Sequence, residues 1–354
     1  MIPSIPLTPA WWLVRIPDVF ADLADAIAPH ARRLPSEGDY HRIESSGAGF
    51  PVADAARIFL RWRLPVHHAW PCNPEKTSRF VEKAATAMAE KFSPFHPRGL
   101  RIGAFEPMAA RGEFRKLASN LRGRTLQLMQ ESTASAESIA PDAPVVFALV
   151  GKSGLFCGLQ TPREANGFHP GGTRYIRQSD LEIPSRAGAK IVEALHHIRL
   201  LANPPQPGTE WLELGASPGG MTAELIRHGF RVTAIDRAPL HPSLALRPEL
   251  SFARADVTRW LPPAGKTFGA LLCDMNGPAE SAIAQVARLS AALEPGATVI
   301  HTLKTPAENT FLEIIALHQR ILTAAAKAGL AHLQTTHLTY NRREFTMFLA
   351  RPGR

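Results

Sequence analysis

From Trp211 onward, short apolar runs of strand length alternate with segments of helical periodicity, and this alternation constrains the chain more than any other feature. Strand-like runs lie at Trp211 to Leu214, Arg231 to Ile235, Ser251 to Arg254, Phe268 to Cys273, Thr298 to Leu303, His332 to Leu338 and Glu344 to Ala350, with helix-like segments at Gly220 to His228, Glu280 to Leu293 and Asn309 to Ala328. A strand returns parallel to its predecessor only through a long crossover, usually a helix. The pattern therefore predicts an α/β unit with an open, mostly parallel sheet covered on both faces. Leu293-Glu294-Pro295-Gly296 reads as a helix stop and turn before a strand. The last two runs, separated by Thr339 to Arg343, read as a hairpin, so the sheet is expected to close with an antiparallel strand.

At 354 residues the chain exceeds the usual size of one hydrophobic core. The N-terminal half mixes strand-like runs (Trp12 to Ile16, Ile58 to Trp62) with helical ones (Ser78 to Lys91, Glu113 to Met129), which predicts an α+β region. Pro-rich joints at Pro141 to Pro144, Gly167 to Pro184 and Pro204 to Gly208 suggest the division: residues 1–75 an N-terminal α+β segment, 76–172 a second region, 173–184 a linker and 185–354 the α/β unit. Cys72, Cys157 and Cys273 form no CxxC pair and are odd in number, which argues against a zinc site or a disulfide framework and points to the cytoplasm. The apolar N-terminus lacks a basic start, is broken by Pro3, Pro6 and Pro9, and reads as no signal peptide; no apolar run reaches membrane-spanning length.

Lys and Arg outnumber Asp and Glu by 40 to 31, a formal charge of +9, which favours a polyanionic partner. The excess is locally dense. Arg111, Arg115, Lys116, Arg122 and Arg124 fall in one stretch where Phe114, Leu117, Leu121 and Leu128 recur at helical spacing. This reads as an amphipathic helix with a basic outer face, either an RNA contact or simply a solvated surface.

Glu213-Leu214-Gly215-Ala216-Ser217-Pro218-Gly219-Gly220 follows a strand run and opens a helix, a context in which glycine lets a ligand approach the backbone. A tight turn without a ligand would use the same residues. The next strand ends at Asp236, suited to a ribose diol, and the following one at Asp256, suited to an adenine amine, although a lone Asp is often only a helix cap. A nicotinamide dinucleotide would fit the two features nearest the turn. However, Ser217-Pro218-Gly219-Gly220 lacks the GxGxxG spacing that seats a pyrophosphate, whereas S-adenosylmethionine carries no phosphate.

Gly215-Ala216-Ser217-Pro218-Gly219-Gly220-Met221-Thr222, Cys273-Asp274-Met275, Leu303-Lys304 and Arg343-Glu344 together resemble the motifs of FtsJ-like RNA 2′-O-methyltransferases, and among these the RlmM family. The likeness extends through Pro184-Ser185-Arg186 and Lys190, and more faintly through residues 80–172. The resemblance implies a Rossmann-like methyltransferase sheet preceded by a THUMP-containing RNA-binding region, with S-adenosylmethionine as cofactor. It implies the ribose of a cytidine in large-subunit ribosomal RNA as acceptor, before the subunit is fully assembled, and a monomeric enzyme without metal. By the same resemblance Lys190, Asp274, Lys304 and Glu344 form a catalytic tetrad with Lys304 as general base, Asp274 also reaches the cofactor, and Arg186 joins Arg115, Lys116, Arg122 and Arg124 in contacting RNA. Three positions depart from the family, which usually has Asp at Glu213, Cys at Ser217 and Trp at Met221.

Read singly, Lys190 could be a snorkelling lysine on a helix from Lys190 to Leu200 and Glu344 a solvated hairpin charge. The adjacent pairs His67-His68 and His196-His197 face different ways and make poor metal ligands. His301, inside a strand run, reads as a satisfied core histidine. Two other functions stay open on the sequence: transfer to a different acceptor, and an RNA-binding relic without catalysis.

Overall fold

The computed structural model describes residues 7–34, 37–44, 49–105, 112–129, 134–174, 176, 185 and 187–353. Pro184, Arg186, Arg111 and most of the expected linker lie outside the described residues. The chain divides into two compact units, Met1–Tyr175 and Ile176–Arg354.

The first unit holds two four-stranded sheets among its described residues. Strands β1 (Trp11–Arg15), β2 (Arg32–Arg33), β3 (Tyr40–Glu44) and β4 (Trp62–Val66) pair antiparallel in the order β2-β3-β1-β4, beside a short helix α1 (Ala24–Ile27). The second sheet runs β5-β8-β7-β6 and is made of β5 (His68–Trp70), β6 (Gly99–Ala104), β7 (Val145–Gly151) and β8 (Gly154–Gln160). Helices α2 (Phe80–Phe92) and α3 (Glu113–Met129) cover it, burying Phe80, Met88, Phe92, Ala118 and Leu121 against Val146, Leu155 and Leu159. Thr161 then caps a single turn, α4 (Pro162–Ala165), through a reciprocal capping box with Glu164.

One strand differs from its expected place. Ile58 and Phe59 end a 3-10 helix, Asp54–Phe59, and the strand begins at Trp62 instead. Pro65 obscured it, since proline cannot donate to a ladder; β4 tolerates it because it lies at the end of its sheet's strand order.

The second unit follows the expected alternation. Its elements are α5 (Gly188–His197), β9 (Glu210–Leu214), α6 (Gly220–Arg227), β10 (Arg231–Asp236), β11 (Leu250–Arg254), β12 (Phe268–Cys273), α7 (Ala279–Leu289), β13 (Leu293–Lys304), α8 (Phe311–Lys327), β14 (Ala331–Thr336) and β15 (Glu344–Ala350). The seven strands order as β11-β10-β9-β12-β13-β15-β14, parallel except for β15. This is a Rossmann-like sheet. The antiparallel strand is last in sequence but not at the edge, because β15 inserts between β13 and β14. The segment Leu293 to Gly296 is also not a separate turn: it starts β13 with an irregular register against β12, and Gly296 takes φ +82° there.

The central strands are largely apolar and buried, as strands covered on both faces require, while β11 and β14 at the edges are partly exposed. Helices α5 and α6 bury Ile191, Ala194, Met221 and Leu225 over Trp211, Val232, Ala270 and Ile300. Their close approach depends on glycine: a Cβ on Gly188 would lie 2.8 Å from both the Gly220 carbonyl oxygen and Glu224 Cγ. Gly188→Ala should therefore force the two helices apart and destabilise the unit by about 1 to 3 kcal/mol. A lowered midpoint in urea unfolding checks this, and an unchanged midpoint would contradict the packing.

Candidate active site

The parallel strands end at one edge, and the candidate residues gather there because a βα turn leaves each strand at its C-terminal end. After β9 the chain turns through Gly215, whose φ is +78° and whose Cβ, were there one, would lie 2.9 Å from Met275 Cα. Only glycine fits this crossing. Gly219 (φ +104°) opens α6 with Leu244 where a side chain would project, and Gly220 lies against Ser185. Among the turn residues, Gly215 and Ser217 line a cleft of about 350 Å³, while Ala216, Gly219 and Gly220 are buried in packing and Pro218 is exposed. Asp236, Asp256, Asp274 and Lys304 line the same cleft.

The two acids at the strand ends are held differently. Asp236 accepts from the Ser217 N–H through Oδ2 at 3.0 Å and from the Ala238 N–H through Oδ1 at 2.8 Å. Its carboxylate therefore occupies an amide of the Gly-rich turn that a phosphate would otherwise claim. Asp256 accepts from both Thr258 N and Thr258 Oγ1 on Oδ1, at 2.9 and 2.8 Å, and the Thr258 backbone bond is the main reason its pKa is lowered. Three carboxylates face Arg237 and Lys304 across the cleft. That charge balance, with the occupied turn amide, disfavours a pyrophosphate and suits a ligand with cationic groups and a diol.

The four residues of the expected tetrad come together. Lys190 Nζ lies 2.5 Å from Glu344 Oε1 and 3.6 Å from Asp274 Oδ2, and Lys304 Nζ lies 3.3 Å from Asp274 Oδ1. Lys304 is supplied by the end of β13 and Glu344 by the start of β15; the antiparallel register pairs these two residues directly. Asp274 and Lys304 open on the cleft, and Lys190 and Glu344 stand behind them.

Three further side chains, not singled out from the sequence, hold this group. Lys304 Nζ donates to the Asp274 carbonyl at 3.2 Å and to Asn276 Oδ1 at 2.6 Å. Asn341 donates to Glu344 Oε1 at 3.4 Å, while its own Oδ1 accepts from Leu338 N and Thr346 Oγ1. Glu193, buried one turn beyond Lys190, accepts from Thr339 N at 3.1 and 2.9 Å and from Thr339 Oγ1 at 2.6 Å. It ties the Lys190 helix to the loop before Glu344. An acid between Ile191 and Ala194 on an apolar helix face was the signal that could have found it.

The basic stretch on α3 does not present one outer face. Arg124 turns to Glu82 of α2 at 2.9 Å, Arg122 donates from Nε to the Leu100 carbonyl at 3.2 Å, and Lys116 and Arg115 are exposed. His301 is buried as expected, but neither ring nitrogen has a hydrogen-bond partner among the described residues, so it is not satisfied; burial lowers its pKa to about 4 and keeps it neutral.

Beneath the Gly-rich turn, Glu213 is fully enclosed and accepts from Thr222 Oγ1 at 2.7 Å. Burial, with smaller contributions from Asp274 and Asp236, pushes its pKa up to about 8. A carboxyl raised on folding contributes stability that is fully present below its unfolded value near 4.5 and lost as pH rises through about 8. Glu213→Gln should remove this dependence, so the variant should gain on the wild type between pH 5 and 8 by up to about 1.4 kcal/mol per pH unit. Parallel urea curves of the two proteins would contradict it.

Comparison with known proteins adds the lineage. A model of FtsJ-like methyltransferases matches residues 183–324. A protein of Laribacter hongkongensis named ribosomal RNA large subunit methyltransferase M is 30% identical over 247 residues, which covers 67% of this chain and 68% of that protein. The protein of the same name from Xylella fastidiosa strain M12 is 34% identical over 180 residues, 49% of each chain, and the one from Shewanella loihica is 28% identical over 66% of this chain and 64% of its own. The match thus spans from about half to two thirds of these relatives. The chain belongs to the family of ribosomal RNA large subunit methyltransferase M.

Proposed function

We propose that this protein transfers a methyl group from S-adenosylmethionine to a ribose 2′-hydroxyl of large-subunit ribosomal RNA, a cytidine being the expected target. The observation that carries the reading is the meeting of Lys190, Asp274, Lys304 and Glu344, with Asp274 and Lys304 lining a cleft that Gly215, Asp236 and Asp256 also line. The cofactor fits this chain's residues: Asp236 and Asp256 would take the ribose diol and adenine amine and Asp274 the methionine ammonium, in a cleft whose wall Gly215 shapes by letting the turn pass close to Met275. When bound, it supplies an electrophilic sulfonium methyl with a good leaving group.

What remains for the protein is alignment and one proton. Well-aligned groups alone lower such a barrier by about 7 to 11 kcal/mol. Lys304 accepts the 2′-hydroxyl proton at Nζ as the oxygen attacks. That nitrogen donates to the Asp274 carbonyl and to Asn276 Oδ1, and lies 3.3 Å from Asp274 Oδ1 as an ion-pair contact without a hydrogen bond. Asn276 is exposed, so it is the contact that gives way to the substrate hydroxyl. Lys190 lies between Asp274 and Glu344 and holds in place the acid that stands beside the base.

The family and the net charge of +9 support RNA as substrate, with the N-terminal unit as its reader and the cytoplasm as its compartment. No helix among the described residues is long and apolar enough to cross a membrane, and no described group of three or more His, Cys, Asp or Glu could hold a metal.

Incubation with methyl-labelled S-adenosylmethionine and unmodified large-subunit RNA should give label in an alkali-resistant dinucleotide; label in a base or in protein would point to another acceptor. Asp236→Ala should weaken cofactor binding by about 1 to 3 kcal/mol in calorimetry, and unchanged affinity would remove it from the cofactor site. Lys304→Ala should abolish transfer while leaving cofactor affinity within about threefold. Lys304→Arg should fail too, because guanidinium stays protonated; an active arginine variant would show that the position supplies charge and not proton transfer.

A further inference from the structure

We propose that the N-terminal unit contains a phosphate-binding pocket that takes one nucleotide of an RNA strand. The inference rests on the reading of RNA as substrate and gives its capture a place. A cavity of about 340 Å³ lies within this unit, lined by Arg15, Tyr40, Arg115, Ser119, Arg122 and His169 among others, with no carboxylate among its described lining residues. The volume suits a sugar and its phosphate and is at the small end of ligand sites.

The pocket is built in advance of a ligand. Arg115, Ser119 and Arg122 are spaced by four and three residues, so all three project from one face of α3. Opposite them, Arg15 on β1 is fixed by Asp39, which accepts from its Nε at 2.8 and 2.9 Å, while Nη1 donates to the Gly171 carbonyl at 3.0 Å and to Thr173 Oγ1. Tyr40 packs beneath that guanidinium, 5.1 Å from ring centroid to Cζ. Gly171, at φ +69°, has no room for a Cβ beside the Tyr40 hydroxyl.

Arg122 carries the argument furthest. Its single hydrogen bond uses Nε and runs to a β6 carbonyl, which anchors the side chain and leaves the two terminal nitrogens uncommitted among the described residues. A guanidinium with a free edge presents two parallel donors, the geometry that matches phosphate. Burial first, and then the charge of Arg122, lowers the pKa of the neighbouring Arg101, with Glu137 opposing. The charge of Arg122 thus reaches its surroundings, and an anion seated against its terminal nitrogens would be attracted by it. RNA is favoured over a free small anion because the cavity extends beyond the size of a phosphate and has hydroxyl donors at Ser119, Tyr40 and Thr173 for a sugar.

The test uses the full chain and a labelled single-stranded RNA dodecamer followed by fluorescence anisotropy. Competition by cytidine 5′-monophosphate, cytidine and inorganic phosphate separates the ligand classes. The nucleotide should compete, with the nucleoside and phosphate each at least about tenfold weaker, the size of one lost charged hydrogen-bond pair. Arg122→Gln should weaken RNA binding by a similar factor while leaving S-adenosylmethionine affinity unchanged. Because Arg122 also braces β6, Ser119→Glu supplies a second variant that places a carboxylate on the exposed helix face and leaves that brace intact; it should weaken RNA binding at least as much. Wild-type RNA affinity in a folded Ser119→Glu protein overturns the pocket, as does equal competition by nucleoside and nucleotide. Inorganic phosphate competing as well as the nucleotide would make the cavity a general anion site and overturn the RNA assignment. Methyl transfer by the wild-type protein to saturating RNA is measured alongside: its absence refutes the proposed reaction, whereas its presence with unaltered variants refutes only the pocket.

Discussion

Two lysines and two acids share one small, partly buried volume at the sheet edge, each within 3.6 Å of a partner of opposite charge. A partly buried charge loses hydration that only an opposite charge or a hydrogen bond replaces. Lys190 bridges Glu344 and Asp274, Asp274 bridges the two lysines, and the side chains are between 10% and 20% exposed. The surrounding architecture serves this balance. Glu193 binds the Lys190 helix to Thr339, Asn341 steadies Glu344, and glycines at 188 and 220 let the helices approach closely enough for Lys190 to reach.

The unit's fold was largely legible in the sequence because its signal is periodicity, and a buried parallel strand is a run of apolar residues with clear ends. The runs at Phe268 to Cys273 and Glu344 to Ala350 match their strands residue for residue. What escaped was long-range. Nothing local says that β15 enters beside β13, since a hairpin with β14 has the same sequence pattern whether its second strand lies inside or at the edge. The strand at β4 escaped for a local reason, a proline that forbids central strands but not edge ones.

The site was legible to the extent that chemistry sits at strand ends. Asp236, Asp256, Asp274 and Lys304 could be read off as the polar residues after apolar runs, and all four line one cleft. The supporting contacts could not, because Glu193 and Thr339 meet across 146 residues and Asn341 looks like an ordinary loop residue until folded, although a lone acid on the apolar face of the Lys190 helix hints at Glu193. Charge on α3 shows the converse error. A helix counted as basic along its length divides in three dimensions, with Arg124 spent on Glu82 and Arg115 and Arg122 turned to a cavity. Counting charges gives a partner class, whereas their partition over faces decides what can be bound.

The position of β15 also bears on when the protein can first work. A strand that arrives last in sequence yet lies between two others cannot be added to a finished sheet; β14 has no neighbour until it comes. During synthesis, β9 to β13 can pair as they emerge, but the slot beside β13 stays open until residue 350 has left the ribosome. Glu344 arrives with that strand, so Lys190 lacks its nearest counter-charge throughout the interval. A chain in which β9 to β13 have paired thus holds the cleft before it holds the complete charge cluster, and the four charged side chains meet only when the sheet closes.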